Sequence, residues 1–281
     1  MISVKDLRFS YTKKAFIENI SFDVKPGEIF GFLGPSGAGK STLQKILTGL
    51  LTSYKGMVIV DDKEVKNHDN SFYENIGVDF EFPSLYEKLT AYENLKYFSS
   101  LYKKHGDIDT LLSSVGLLSD ANKKVADFSK GMKSRLNFIK ALLHDPAILF
   151  LDEPTSGLDP SNARLMKDII SAEKAKGKTI ILTTHNMFDA TELCDRVAFI
   201  LDGKLKALDT PHNLIMSKGA TKIKYTYIKN GKEEKSEISL HKTSQDAILM
   251  DLIKTNKLLS IHSSEPTLND IFVELTGRQL Q

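Results

Sequence analysis

The segment Gly34-Pro35-Ser36-Gly37-Ala38-Gly39-Lys40-Ser41 constrains this chain more than any other stretch. It joins an apolar run of buried-strand length, Glu28–Leu33, to a helical pattern, Ser41–Leu51, in which Leu43, Ile46, Leu47 and Leu50 share one face. Glycines between a strand and a helix let backbone N–H groups converge on an anion without Cβ clashes. The helix that follows turns its positive end on the same point. The spacing is G-x-x-x-x-G-K-[ST], which suits the phosphates of a nucleotide such as ATP. In that reading Lys40 reaches the β- and γ-phosphates, the Ser41 hydroxyl ligates Mg²⁺, and Thr42 continues the cradle.

A second signal is Ile148-Leu-Phe-Leu151-Asp152-Glu153, an apolar strand that ends in two carboxylates. Ligands of α/β sheets bind at that edge. Asp152 suits the metal, directly or through water. Glu153, one residue on, suits a general base that orients water at the γ-phosphate. An acidic pair after a strand is often only a solvated loop; the phosphate loop upstream, and Pro154 ending the strand, give this pair its weight. His185 follows another strand, Thr179–Thr184, and so falls at the same carboxyl edge. A lone histidine is more often structural, and its position is what favours a γ-phosphate contact. Tyr11 lies in a turn-like stretch, placed either to stack on an adenine ring or to make an ordinary aromatic contact.

Around these motifs the chain alternates strands and helices, which points to a largely parallel α/β sheet. Ile2-Ser3-Val4, Ile20–Val24, Met57–Val60 and Val197–Leu201 read as further strands, and the stretch near Ala163–Ala175 as a helix. Residues 84–145 differ. Ala91–Leu101, Ile108–Val115 and Met132–Leu143 show helical periodicity and strand signals are scarce, so this is a helical insertion. A third segment begins near Gly219. Ile223–Ile228 and Glu233–Leu240 flank Asn230-Gly231, a strong hairpin signal. Ser244–Thr255 reads as a helix and Leu258–Ile261 as a strand. A last helix starts after Thr267, with Asp270 three residues on as in a capping box.

In this order the motifs resemble the ATP-binding subunits of ABC transporters along nearly the whole chain. Phe128-Ser129-Lys130-Gly131-Met132 occupies the place of the family signature LSGGQ. Ser156-Gly157-Leu158-Asp159 matches the D-loop, Thr184-His185-Asn186 the switch-histidine segment, and Tyr11 the A-loop aromatic. The tail Glu265–Gly277 looks like the ending of drug-, peptide- and ion-exporting subunits of the daunorubicin-resistance type. The resemblance implies a P-loop NTPase (RecA-like) ABC ATPase core over residues 1–218, a helical subdomain at about 84–145, and a small α+β domain over 219–281. It implies ATP and Mg²⁺ as ligands and hydrolysis with Glu153, His185 and Lys40 at the centre. It also implies two ATPs sandwiched between two subunits, with Ser129 and Gly131 of one closing over the phosphate loop of the other. That second subunit is a second copy or a related chain. A separate transmembrane permease subunit would dock near Glu81–Tyr86. Two departures stand out. No glutamine lies between Gln44 and Gln245, and Glu81 fills the Q-loop slot, where a carboxylate still suits Mg²⁺. Lys130 and Met132 replace the first glycine and the glutamine of the signature.

Composition narrows the alternatives. Lys plus Arg is 38 against 36 Asp plus Glu, and so even a balance gives no reason to expect nucleic acid as a partner. The single cysteine, Cys194, cannot form an intrachain disulfide, reads as a small core residue, and fits a reducing compartment. Met1–Asp6 has no apolar signal stretch, and no purely apolar run exceeds five residues where a spanning helix needs about 20. The expectation is a cytoplasmic chain, peripheral on the inner face of the cell membrane through its partner. A GTPase should carry N-K-x-D, and Asn122-Lys123-Lys124-Val125 lacks the aspartate. A non-transport ABC ATPase and a binding-only subunit of a heterodimer are the remaining rivals.

Overall fold

The computed structural model describes residues 1–217, 219 and 222–277. The chain divides into two compact units, Met1–Leu208 and a second that begins at Asp209. The sequence-based boundary at 218/219 falls later, and Lys218 itself lies outside the described residues.

The first unit holds two sheets. One is antiparallel, in the order β2-β1-β4-β5, built from β1 (Ile2–Phe9), β2 (Ile17–Val24), β4 (Lys55–Val60) and β5 (Lys63–Glu64). Inward Ile2, Val4, Leu7 and Phe9 alternate with more exposed neighbours along β1, so one face is buried. The other sheet has the order β10-β9-β3-β8-β7-β6, from β3 (Ile29–Leu33), β6 (Ile76–Asp79), β7 (Ile148–Asp152), β8 (Thr179–Thr184), β9 (Arg196–Leu201) and β10 (Lys204–Asp209). Strands β9, β3, β8, β7 and β6 are parallel neighbours. Every residue of β3, β7 and β8 is buried, which is why these strands read as continuous apolar runs. Phe22, Phe30, Phe32, Ile46, Phe150, Ile181 and Ile200 share one core. Each such side chain contributes about 1.5–3 kcal/mol by leaving water.

Helix α1 (Lys40–Leu47) is shorter than its periodicity suggests. Gly49, at φ +77°, turns the chain after the Thr48 cap, and Leu50 is exposed rather than part of the helix face. A one-turn helix α2 (Asn70–Tyr73) precedes β6. The helical insertion contains α3 (Ala91–Ser99), α4 (Ile108–Ser114) and α5 (Lys130–Leu142). A full capping box, Thr90 with Glu93, starts α3; Asp107 and Ser129 cap α4 and α5. Helices α6 (Pro160–Ala175) and α7 (Met187–Leu193) complete the unit. Cys194 is buried with its sulfur against Gly31, where a Cβ would stand 2.7 Å from it, and burial pushes its thiol pKa up.

The second unit contains α8 (Pro211–Met216), β11 (Lys222–Lys229), β12 (Lys232–Ser239), α9 (Ala247–Lys254), β13 (Leu258–Ser264) and α10 (Leu268–Thr276). Asn230 and Gly231 both take positive φ, 51° and 73°, as a two-residue hairpin between β11 and β12 requires. Helix α9 starts at Ala247, capped by Asp246; residues 240–245 form a 3₁₀ turn, which takes Ser244 and Gln245 out of the helix that the periodicity suggests over Ser244–Thr255. Thr267 and Asp270 form both halves of their capping box.

Candidate nucleotide site

The loop after β3 is pressed against its surroundings. A Cβ on Gly34 would lie 2.2 Å from the Ile200 carbonyl oxygen, and one on Gly39, at φ +112°, 2.8 Å from Ile17 Cδ1. No larger residue fits, so the backbone sets the cradle. Lys40 opens α1 and is buried. Its Nζ donates to the Gly34 carbonyl at 2.7 Å and to the Pro35 carbonyl at 3.2 Å, across the loop. Burial pulls the ammonium below the usual lysine pKa, while the nearby Glu153, Asp152 and Glu81 carboxylates pull it back up.

Parallel register brings the strand ends level. Leu33 pairs with Thr184, Asp152 with Thr183, and Asp79 with Leu151. The phosphate loop, the Asp152-Glu153 pair, His185 and Glu81 therefore leave the sheet at one edge. Thr183 Oγ1 donates to Asp152 Oδ1 and fixes that carboxylate. Glu153 sits at φ +53°, a conformation that costs a non-glycine residue energy. Its N–H donates to the Thr183 carbonyl at 2.9 Å. Both of its carboxylate oxygens are engaged: His185 Nδ1 hydrogen-bonds Oε1 at 2.8 Å, and Thr184 Oγ1 donates to Oε2 at 3.2 Å.

These groups surround a cavity of about 220 Å³ lined by Phe16, Ser36, Gly37, Gly39, Lys40, Ser41, Thr42, Glu81, Asp152, Glu153 and His185. Gly34, Pro35 and Ala38 form the loop behind it. A larger cavity of about 530 Å³, along Arg8, Phe9, Ile17 and Lys55, contains none of these groups. Tyr11 is exposed, packs edge-on against Phe9 and Phe16, and its hydroxyl shares a 3.0 Å hydrogen bond with Thr42 Oγ1. It is thereby tied to the helix that follows the phosphate loop.

Ser129 and Gly131 are not among the residues lining this cavity. Ser129 is the N-cap of α5, accepting from the Met132 N–H at 3.2 Å, and Gly131 lies beside Leu158 of the D-loop segment. The Lys130 ammonium lies beside Gly157. Thr183, Thr184 and Phe16 also adjoin the candidate site. Thr184 is marked only by its place in the switch-histidine segment, and Thr183 reads as an ordinary strand residue.

The oxygen donors suit Mg²⁺. Among the described residues no cluster of three carboxylate, imidazole or thiol ligands stands ready for a metal. Mg²⁺ normally takes one or two protein oxygens and completes its shell with phosphate and water, which Ser41 and Asp152, beside Glu81, permit.

A glycine-rich loop at a helix N-terminus, with an acidic pair and a histidine on neighbouring strand ends, defines a P-loop ATPase. Residues 17–156 match the family model described as ABC transporter. The whole chain is 49% identical to a fluoroquinolones export ATP-binding protein of Mycobacterium tuberculosis, covering 94% of that relative. It is 31% identical, over the full length of both chains, to the linearmycin resistance ATP-binding protein of Bacillus subtilis. A solved structure of the ATP-binding subunit of an ABC transporter superposes with a TM-score of 0.71 at 30% identity, over 78% of this chain and 93% of that one. The chain belongs to the ABC transporter family, as one of its ATP-hydrolysing subunits.

Proposed function

We propose that this chain drives export of a drug, peptide, lipid or ion through a separate membrane subunit, with ATP held at Gly34–Thr42 and hydrolysed by Glu153. The observation that carries the hydrolytic role is the grip on Glu153. A carboxylate meant only to balance charge needs no fixed orientation, whereas a base must hold one. His185 and Thr184 hold this one over the mouth of the Lys40 cradle.

Water attacks the γ-phosphorus in line with the β–γ bridging oxygen. The new P–O bond forms as the bridging bond breaks, and ADP leaves with the electron pair. Glu153 orients the water and accepts its proton, and His185 keeps Glu153 aligned and touches the γ-phosphate. Lys40 neutralises charge on the β- and γ-oxygens. Mg²⁺, held by Ser41 and Asp152 with Glu81 beside them, would supply further charge on the same oxygens. Tyr11, together with Phe16, offers an aromatic surface to the adenine.

Ser129 and Gly131 are not among the residues that line the cavity they are expected to serve. A second subunit, either a copy of this chain or a related one, supplies them across a dimer. ATP then favours the closed dimer and hydrolysis releases it. No helix among the described residues is long and apolar enough to cross a membrane. A membrane partner docks on the exposed aromatic surface of Phe82, Tyr86 and Tyr97, on the inner face of the cell membrane. The export relatives support the direction of transport.

Glu153→Gln is the test. Turnover should fall by about 10²–10⁴ while ATP binding persists, and sedimentation should find an ATP-trapped dimer. Full turnover in that variant would remove Glu153 from the mechanism.

A further inference from the structure

Helix α5 presents Ser129 and Gly131 at its start, and within two turns it buries Asn137, which is 2% exposed. A buried primary amide must find partners for two donors and an acceptor. Asn137 finds them in one short segment. Its Nδ2 donates to Asp79 Oδ1 at 2.5 Å and to the Phe80 carbonyl at 3.3 Å; its Oδ1 accepts from the Ser84 N–H at 3.3 Å. One turn on, Lys140 Nζ donates to the Ser84 carbonyl at 3.1 Å.

These partners bracket Glu81. Phe80 C=O on one side, and Ser84 N–H and C=O on the other, are backbone groups fixed by two side chains of one helix. The residues between them carry Glu81 to the nucleotide cavity and leave Phe82 78% exposed. Among the described residues strand β6 is the last of its sheet and pairs only with β7, so the sheet holds this segment from one side alone. The other side is held by α5. No apolar residue could do this, because three backbone or carboxyl groups would lose their partner together. A carboxylate at position 137 would lose both donors and face Asp79.

We propose that Asn137 is a positioning residue for ATP hydrolysis, pinning residues 80–84 to α5 so that Glu81 and the turn Ser129–Gly131 are set by one rigid element. The inference rests on the assignment of Glu81, Ser129 and Gly131 to nucleotide chemistry made above. It adds the route by which a displacement at Glu81 reaches the edge offered to a second subunit. Asn137 is not among the residues lining the nucleotide cavity, so its loss should act on turnover and not on the grip on ATP.

The experiment uses the full chain, with steady-state ATP hydrolysis and a nitroxide on Phe82→Cys; Cys194 is buried and does not compete for the label. In Asn137→Ala the KM for ATP should stay within about twofold while kcat falls about tenfold or more, the scale on which misplacement acts. The nitroxide spectrum should sharpen as the loop loosens. Lys140→Met frees the Ser84 carbonyl and also removes the ammonium that acts on Asp79 and lies over the Phe98 ring; it leaves the Asn137 hydrogen bonds in place and should shift both readouts the same way, by less. Unchanged kcat, or an unchanged nitroxide spectrum in Asn137→Ala, overturns the proposal. So does a fall in kcat that comes with an equal rise in KM and loss of thermal stability, since that is packing alone. Should Asn137→Ala not fold, Lys140→Met decides: lower kcat with a sharper spectrum supports the clamp, and neither change overturns it. Full turnover in Glu153→Gln would break the reading of the site instead, and the nitroxide spectrum would still judge the clamp.

Discussion

The two compact units bury different things. The first buries Phe30, Phe32, Phe150 and Phe199 together with Lys40, Asp79, Asn137 and Asp152. The second buries Tyr225, Tyr227, Leu249 and Leu252 between its sheet and α9, and leaves Ile248, Ile253, Leu259 and Ile261 exposed. Charged groups are expensive to desolvate and persist in a core only where hydrogen bonds or chemistry hold them. Their concentration in the first unit agrees with the candidate site there. The second unit carries none of the candidate site residues, and its exposed apolar side chains suit a surface that meets another molecule.

The contrast is tested most severely in the two cores. Phe150 is fully buried in the central strand β7. Phe150→Ala should cost about 3–5 kcal/mol and disturb ATP binding, because Asp152 and Glu153 end that strand. Leu252 is one of only four residues in that described core, so Leu252→Ala should cost about 2 kcal/mol, the low end for such a change. Urea unfolding gives the stabilities. Hydrogen exchange should rise across residues 222–262 in the second variant while ATP affinity holds. Equal loss of ATP binding in both variants would break the contrast.

Asp79 sharpens it from the polar side. Burial pushes its carboxyl pKa up to about 7, against the Asn137 hydrogen bond and the Lys140 charge, which lower it. Its folded value thus lies above the ordinary 3.8 of the unfolded chain. Between those two values the folded state holds the extra proton, so this group's stabilising contribution is full below about 4 and is lost as pH rises through about 7. Asp79→Asn has no such proton. In nucleotide-free protein its melting temperature should gain on the wild type steadily across that window and level off above it. A constant difference from pH 4.5 to 8.5 would mean that Asp79 stays ionised throughout.

The sequence makes the candidate nucleotide site legible because its parts are set by backbone. Glycine spacing and strand ends determine where Gly34–Ser41, Asp152, Glu153 and His185 fall before any packing is known. Parallel register then does the rest. The clamp at Asn137 is illegible for the opposite reason. Asparagine inside a helical pattern looks like any polar residue until the facing segment is known, and Asp79 reads only as the end of a strand. β10 also escapes notice, since Lys204-Leu-Lys-Ala-Leu-Asp209 alternates too weakly to stand out between a turn and a helix start. The domain break has a similar cause. Thr210 caps α8 with Pro211 at its first position, yet that start signal does not say to which unit the helix belongs, and α8 packs with α10.

That break yields the smallest expected effect and the most direct check on the division of labour. All the residues lining the nucleotide cavity come from the first unit. A chain ending at Leu208 keeps β3, β7, β8 and β9 whole, and with them every hydrogen bond to Glu153 and Lys40. Its affinity for ATP should therefore stay within about twofold of the full chain, the spread expected of independent sites. What should change is association. If the exposed apolar side chains of the second unit meet another subunit, the truncated Glu153→Gln protein should form its ATP-dependent dimer only at higher protein concentration, and equilibrium sedimentation would measure the shift. An unchanged dimer would free the second unit of that role, whereas lost ATP binding would mean that the division at Asp209 cuts through one functional body.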